Sequence, residues 1–281
     1  MRFRIISFIG LVIIFALYLV CTATDKETPG TAGTGPSKPK EELTNPRDII
    51  TDSLKATFAT TGFHIKARGY LDVTGPKTNI KTETVVTGIR KSPDISHLSF
   101  ETEDMNQKME VYQQGGKSAA KDNKDNKWVK QEVVSPAEFV ALFKGTLDNV
   151  KLAGEEKIDK INCRTIESNL NQNGINNFLA LYNIGIFPSA EKESAVKIWI
   201  GKEDNLVYKI TAMIKSVSES KPVISMEDED EGKPSKKKNP VQKTTVNFYV
   251  EISIFDYNKD IDIKIPEEVK KVMEECNKPV K

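Results

Sequence analysis

The stretch that decides the fold class is GFHIKARGYLDVTG, residues 62–75. Its odd-numbered positions from Phe63 to Val73 carry apolar side chains or glycine. The even-numbered positions between them carry polar side chains or tyrosine: His64, Lys66, Arg68, Tyr70 and Asp72. Alternation with a period of two residues predicts a β-strand with one buried face and one face in water. Gly75-Pro76 then predicts a turn.

Similar strand-like runs continue along the chain. Four of them precede residue 135: Asn79–Lys91, Ile95–Glu103, Lys108–Gln114 and Lys127–Glu132. Turn-forming stretches around Pro93, Asn106 and residues 121–126 separate them, and Gly115-Gly116-Lys117 is interpreted as a loop. The later runs are Val150–Ile158, Ile161–Leu170 and the alternating segments 196–200, 206–214 and 246–254, with Asp159-Lys160 as a hairpin turn. Short strands joined by short turns predict an antiparallel meander.

Helices are predicted at both ends of the meander and between its strands. The first begins after the N-cap Asn45, with Pro46 as its first residue, and ends at Gly62. The other helices open at Ser135-Pro136, run from about Gly174 to Gly185, and run from Pro266 through Met273. Residues 45–281 are therefore predicted to form one α+β domain with a substantial core. A low-complexity stretch at about 217–243, with an acidic run before a basic run, is predicted to be a disordered hairpin insert.

The N-terminus carries an export signal. Arg2 and Arg4 precede a run from Ile5 to Cys21 that contains no charged residue. Three fates stay open for residues 1–21: acylation of Cys21 as in a bacterial lipoprotein signal, cleavage by a general signal peptidase, or retention as an uncleaved anchor. Residues 22–44 are rich in Thr, Gly, Pro, Lys and Glu, which predicts a flexible tether.

The composition argues against several classes of function. Removing residues 1–20 leaves 39 basic against 40 acidic residues, so there is no electrostatic reason to expect nucleic-acid binding. Beyond Cys21 the cysteines are Cys163 and Cys276, which form either one disulfide or two thiols. The two histidines, His64 and His97, have no second His or Cys at ligand spacing, so no metal and no cofactor are expected. With no catalytic motif to add to these, the chain is predicted not to be an enzyme.

The middle helices carry more apolar residues than a helix lying on a sheet requires. These residues could line a cavity beneath the sheet, and ordinary filling of the core is the alternative. The candidate ligand-binding set is Phe139, Val140, Phe143, Ile175, Phe178, Leu179, Tyr182 and Ile186.

Three short segments resemble the bacterial lipoprotein-carrier superfamily, which includes LolA-type carriers and LppX-type lipoproteins. They are Lys127–Lys130, Val196–Ile200 with Asn205–Val207, and Ile261–Pro266. The resemblance implies a strongly curved antiparallel β-sheet, an incomplete barrel, with helices covering its concave face around a hydrophobic cavity. It also implies a lipid or acyl-chain ligand.

Together these observations predict a membrane-tethered, extracytoplasmic lipoprotein, with Cys21 as the lipidation site. We expect a monomer that binds a lipid or other apolar ligand between sheet and helices, for lipid or lipoprotein transport. The alternative is a non-catalytic envelope interaction module or signal-sensing module with a filled core.

Overall fold

The computed structural model describes residues 45–76, 78–92, 94–102, 107–122, 126–131, 145–181, 191–220 and 242–274. The strands are β1 Gly62–Gly75, β2 Thr78–Lys91, β3 Ile95–Thr102, β4 Gln107–Gln114, β5 Lys117–Asp122, β6 Trp128–Gln131, β7 Leu147–Ile158, β8 Ile161–Leu170, β9 Glu191–Gly201, β10 Val207–Ser220 and β11 Gln242–Phe255. The helices are α1 Pro46–Ala59, α2 Gln172–Leu181 and α3 Glu267–Glu274.

All eleven strands belong to one antiparallel sheet, in the order β6-β5-β4-β3-β2-β1-β11-β10-β9-β8-β7. Strands that follow one another in sequence pair, except β6 and β7, and β1 pairs with β11 from His64–Phe255 to Thr74–Thr245. This pairing joins two meanders into a single sheet. The predicted antiparallel sheet is therefore confirmed. The sheet is not closed, because β6 and β7 are its two edges.

The alternation in β1 sorts its side chains as the sequence predicts. Phe63, Ile65 and Ala67 are at most 1% exposed, while Lys66 and Arg68 point into water on the opposite face. We call the face that holds Phe63 the inner face and the other the outer face. The inner face carries the main apolar core, to which every strand from β1 to β5 and from β7 to β11 contributes.

Helix α1 packs on the inner face above β7–β10. The Asn45 side chain caps it by accepting from the backbone N–H of Arg47 at 3.0 Å. Ser53 donates to Asn205 Oδ1 at 2.9 Å, and Val207 N–H donates to Thr57 Oγ1 at 3.0 Å, so the β9–β10 turn is fastened to the helix. The helix ends at Ala59, before the predicted Gly62. Gly62 instead opens β1, where an added Cβ would lie 2.7 Å from the carbonyl oxygen of Arg90.

Helix α3 lies on the outer face, at the β4–β6 end of the sheet. Val269 and Met273 are buried there against Tyr112 and Ala119. The indole N–H of Trp128 also donates to Glu268 Oε1 at 2.8 Å. The short C-terminal helix predicted from Pro266 is thus present as Glu267–Glu274, and this end of the sheet is covered on both faces.

Strand β5 is a correction to the sequence interpretation. Gly115 and Gly116 are a tight turn with φ of 61° and 71°, and Lys117–Asp122 follows as a strand. The sequence of β5 shows no apolar–polar alternation, because Ala119 and Ala120 are both buried although they lie on opposite faces. The predicted hairpin turn at Asp159-Lys160 is confirmed, and Asp159 has φ of 52°.

Several predictions fall outside the described residues. These are the signal and tether at 1–44, the helix from Ser135, and residues 221–241 of the predicted insert. Among the described helices, none has both the length and the apolar character needed to span a membrane.

Candidate functional site

A row of small side chains crosses the inner face at right angles to the strands. The strand register places these residues side by side, from β3 to β8: Thr102, Thr84, Gly69, Val250, Ala212, Val196 and Ser168. Every side chain in the row is at most 5% exposed, and Gly69 is buried as well. We call this set the small-residue row.

Larger side chains border the small-residue row on both sides. Leu71, Phe248 and Ile214 form one border, and Ile252, Ile210 and Ile198 form the other. Because the row joins seven neighbouring strands, it is about 29 Å long at about 4.8 Å per strand. The row therefore lowers the side-chain volume at the centre of the inner face, and we call this part of the face the trough.

Hydroxyl groups lie at the β2–β3 end of this trough. The hydroxyls of Thr84 and Thr102 are 3.2 Å apart and hydrogen-bonded. Thr82, one position along the same face, is 5% exposed, and its Oγ1 has no hydrogen-bond partner within the described part of the chain. An unsatisfied buried hydroxyl costs about 1–3 kcal/mol, so such a group in a native protein calls for an explanation. At the β8 end, Ser168 is satisfied, because it donates to the carbonyl of Asp148 at 2.7 Å.

A second polar row lies on the same face near the other end of β2–β5. Arg90, Ser96, Gln113 and Ser118 are cross-strand neighbours, and each is at most 2% exposed. The Arg90 guanidinium stands 5.5 Å from the centre of the Phe63 ring. The sequence interpretation missed this row because its residues become neighbours only through the register of β2–β5. Counting in twos along β2 from Thr84 through Val86 would have placed Arg90 on the inner face.

The structure describes the side chain of one member of the predicted ligand-binding set. Ile175 is 4% exposed and packs in the main core. Phe178 and Leu179 lie within α2, but their side chains fall outside the described residues, as do Phe139, Val140, Phe143, Tyr182, Ile186 and Cys21. The assignment of these residues to a ligand wall therefore stays a prediction.

The titratable groups of the described residues are spread over the sheet. His64 Nδ1 lies 3.5 Å from Asp256 Oδ2 near the start of β1. His97 stacks on Tyr112 with ring centres 4.2 Å apart. Burial lowers the pKa of His97, against a smaller opposing effect of Glu110. No cluster of three or more His, Cys, Asp or Glu residues in the described ranges is placed to hold a metal ion.

No protein-family model and no curated protein matches the chain. Several solved structures match the chain. The lipoprotein LppX from Mycobacterium tuberculosis matches with 13% identity and a TM-score of 0.39, over 78% of this chain and 98% of that one. LprF from Mycobacterium bovis matches with 12% identity and a TM-score of 0.41, over 80% and 97%.

A LolA-superfamily protein from Nitrosomonas europaea matches with 11% identity and a TM-score of 0.27, over 81% of this chain and 96% of that one. The matched structures thus include the LppX and LolA types that the sequence resemblance names. At these TM-scores the likeness says nothing about what this chain binds.

Proposed function

We propose that this chain is an extracytoplasmic, membrane-tethered lipoprotein that binds a lipid or similar apolar ligand along the inner face of its sheet. Binding involves no covalent step, and the protein acts as a monomer in lipid or lipoprotein transport. In this proposal the tether is the acylated Cys21, followed by residues 22–44.

The small-residue row supports this proposal more than any other feature. A row that pairs Gly69 and Ala212 with Val250 removes side-chain volume from the middle of an otherwise large-residue core. A hydrocarbon chain lying in that trough would gain about 0.8 kcal/mol for each buried methylene, before the cost of ordering the ligand. Most of the trough lies in the main apolar core, so the ligand needs no charged partner along its length.

The second wall of the site comes, in this proposal, from the middle helices. Leu179 and Phe178 belong to α2, which starts next to the end of β8 and is held in place by Ile175 in the core. Phe139, Val140 and Phe143 from the segment before β7, with Tyr182 and Ile186 after α2, complete the apolar set.

Native mass spectrometry of the full chain, extracted gently from its own cells, tests the proposal directly. We expect a monomer that carries a lipid, and a mature N-terminus at an acylated Cys21. Leu179→Asp should remove the lipid, because a carboxylate in the wall would have to be buried beside the hydrocarbon. Leu152→Asp is the matched control, since Leu152 is 49% exposed on the edge strand β7.

Lipid retained by Leu179→Asp at the wild-type level would reject that residue as part of the wall. Absence of any lipid from the wild-type protein would favour the filled-core interaction module instead. An unmodified Cys21 in an uncleaved chain would favour the signal-sensing module with an N-terminal anchor.

A further inference from the structure

The outer face holds two neighbouring hollows, on the side of the sheet opposite the small-residue row. One has a volume of about 530 Å³ and lies between Tyr70, Lys81 and Lys215. The other, of about 400 Å³, lies between Asn149, Glu167 and Thr211. Both are bounded by Met213 and Tyr249. Their sizes fall within the range of small-ligand sites, about 300–1,000 Å³. We call the pair the outer groove.

Aromatic and apolar side chains form the centre of the outer groove. Tyr70, Tyr249 and Met213 are cross-strand neighbours, and they are 40%, 36% and 46% exposed. The two tyrosine rings lie with their centres 6.3 Å apart. An apolar patch on an otherwise charged surface marks a contact site more often than a scattered exposed residue does.

The Tyr249 ring is held in place before any ligand arrives. Its hydroxyl donates to Glu251 Oε2 at 3.1 Å, and Glu251 is itself paired with Lys209 at 2.8 Å. Burial, together with the Glu251 carboxylate, raises the pKa of Tyr249 to about 12, so the hydroxyl stays a donor in neutral solution. A ring fixed in this way offers contact area at a small cost in conformational entropy.

The charges around the outer groove are balanced. Lys81 lies 3.5 Å from Asp72, and Lys151 lies 3.5 Å from Glu167. Lys197 adds a second contact to Glu167 at 3.8 Å. The rim thus gives a ligand little net charge to pair with, but it alternates hydrogen-bond acceptors with donors. A hydroxyl group both donates and accepts, so a ligand rich in hydroxyls matches such a rim.

Other occupants fit the outer groove less well. Strands β1, β10 and β11 are paired on both sides, so a peptide strand would find no free backbone edge to extend. A membrane surface or a nucleic acid would require a clear excess of positive charge, which the paired rim does not supply.

We propose that the outer groove binds a neutral oligosaccharide, with successive sugar units in the two hollows and the Met213–Tyr249 wall between them. The apolar faces of the sugar rings pack on Tyr70 and Tyr249, and their hydroxyls bond to the rim. The side chains of Tyr70, Met213 and Tyr249 lie on the face opposite the lipid trough, although Ala212, Val196 and Ser168 of the small-residue row also line the second hollow.

Calorimetric titration of the full chain tests the proposal, in a detergent without a sugar headgroup. The probes are maltohexaose, cellohexaose and the hexamer of N-acetylglucosamine. We expect at least one of them to bind, and Tyr70→Ala and Tyr249→Ala each to weaken it about tenfold. Phe255→Ala is the matched control, since Phe255 is a 40% exposed aromatic residue on the same face outside the groove. It should leave the affinity unchanged.

Asn247→Ala provides a second test within the groove if a tyrosine variant unfolds, because Asn247 is an exposed residue that lines the first hollow. Failure of all three hexasaccharides to bind would overturn the proposal. The proposal would equally be overturned if the groove variants bound the hexasaccharide as tightly as the wild type. The same holds if an extended peptide or anionic vesicles displaced the hexasaccharide from the groove.

Discussion

Filling the small-residue row is the sharpest test of whether the inner face holds a trough or a packed core. Ala212 lies in the middle of the row, 3% exposed, between Val250 and Val196. Ala212→Leu adds three carbon atoms there. If they enter empty space, they stabilise the lipid-free protein by about 2 kcal/mol, at about 0.8 kcal/mol for each buried carbon. If the space is already filled by side chains, the same atoms cost about 1–3 kcal/mol.

The two outcomes therefore differ in sign, by about 3–5 kcal/mol in the free energy of unfolding. Urea unfolding of the lipid-free wild type and variant measures that difference, and native mass spectrometry of the same variant should show that the lipid is lost. Ala120→Leu is the control, because Ala120 is 2% exposed on the same face in β5, outside the row. It should destabilise the protein. If Ala212→Leu destabilises it to the same extent and keeps its lipid, the reasoning from the row is refuted.

Two further predictions concern stability. Burial lowers the pKa of His97 in the folded protein, so its contribution to stability is present above the unfolded value of about 6.5 and is lost as the pH falls below it. The urea midpoint should drop between about pH 7.5 and about pH 5, and His97→Gln should flatten that dependence; an equal slope in the variant would exclude His97 as its source. Asn45→Ala should lower the free energy of unfolding by about 1 kcal/mol, because it removes the cap on the Arg47 N–H, whereas Asn45→Asp should retain most of it.

Much of the fold follows from local patterns in the sequence. The alternation in residues 62–75 identifies both β1 and its buried face, since side chains alternate across a strand whatever its neighbours are. Asn45-Pro46 marks the start of α1 because capping involves only the first turn of a helix. Strand β5 was not predicted because its two alanines are buried by different partners: Ala120 by the main core and Ala119 by α3. A strand covered on both faces has no alternation to detect.

The candidate site is much harder to predict from local sequence patterns. Each member of the small-residue row is an ordinary strand residue when its own strand is considered alone. Gly69, Thr84 and Val250 become neighbours only through the register of three strands, one of which starts at residue 242. The same holds for Arg90, Ser96 and Gln113, and for the pairing of Tyr70 with Tyr249 in the outer groove.

The sequence by itself determined that this chain builds an antiparallel sheet, and it determined which face of each alternating strand is apolar. Only the tertiary structure decided that β1 pairs with β11, and with that pairing which side chains share a row across the sheet. The reason is that strand register depends on contacts between residues far apart in the chain. A slip of one residue would move every side chain of a strand to the opposite face, so both the trough and the outer groove exist only in the assembled sheet.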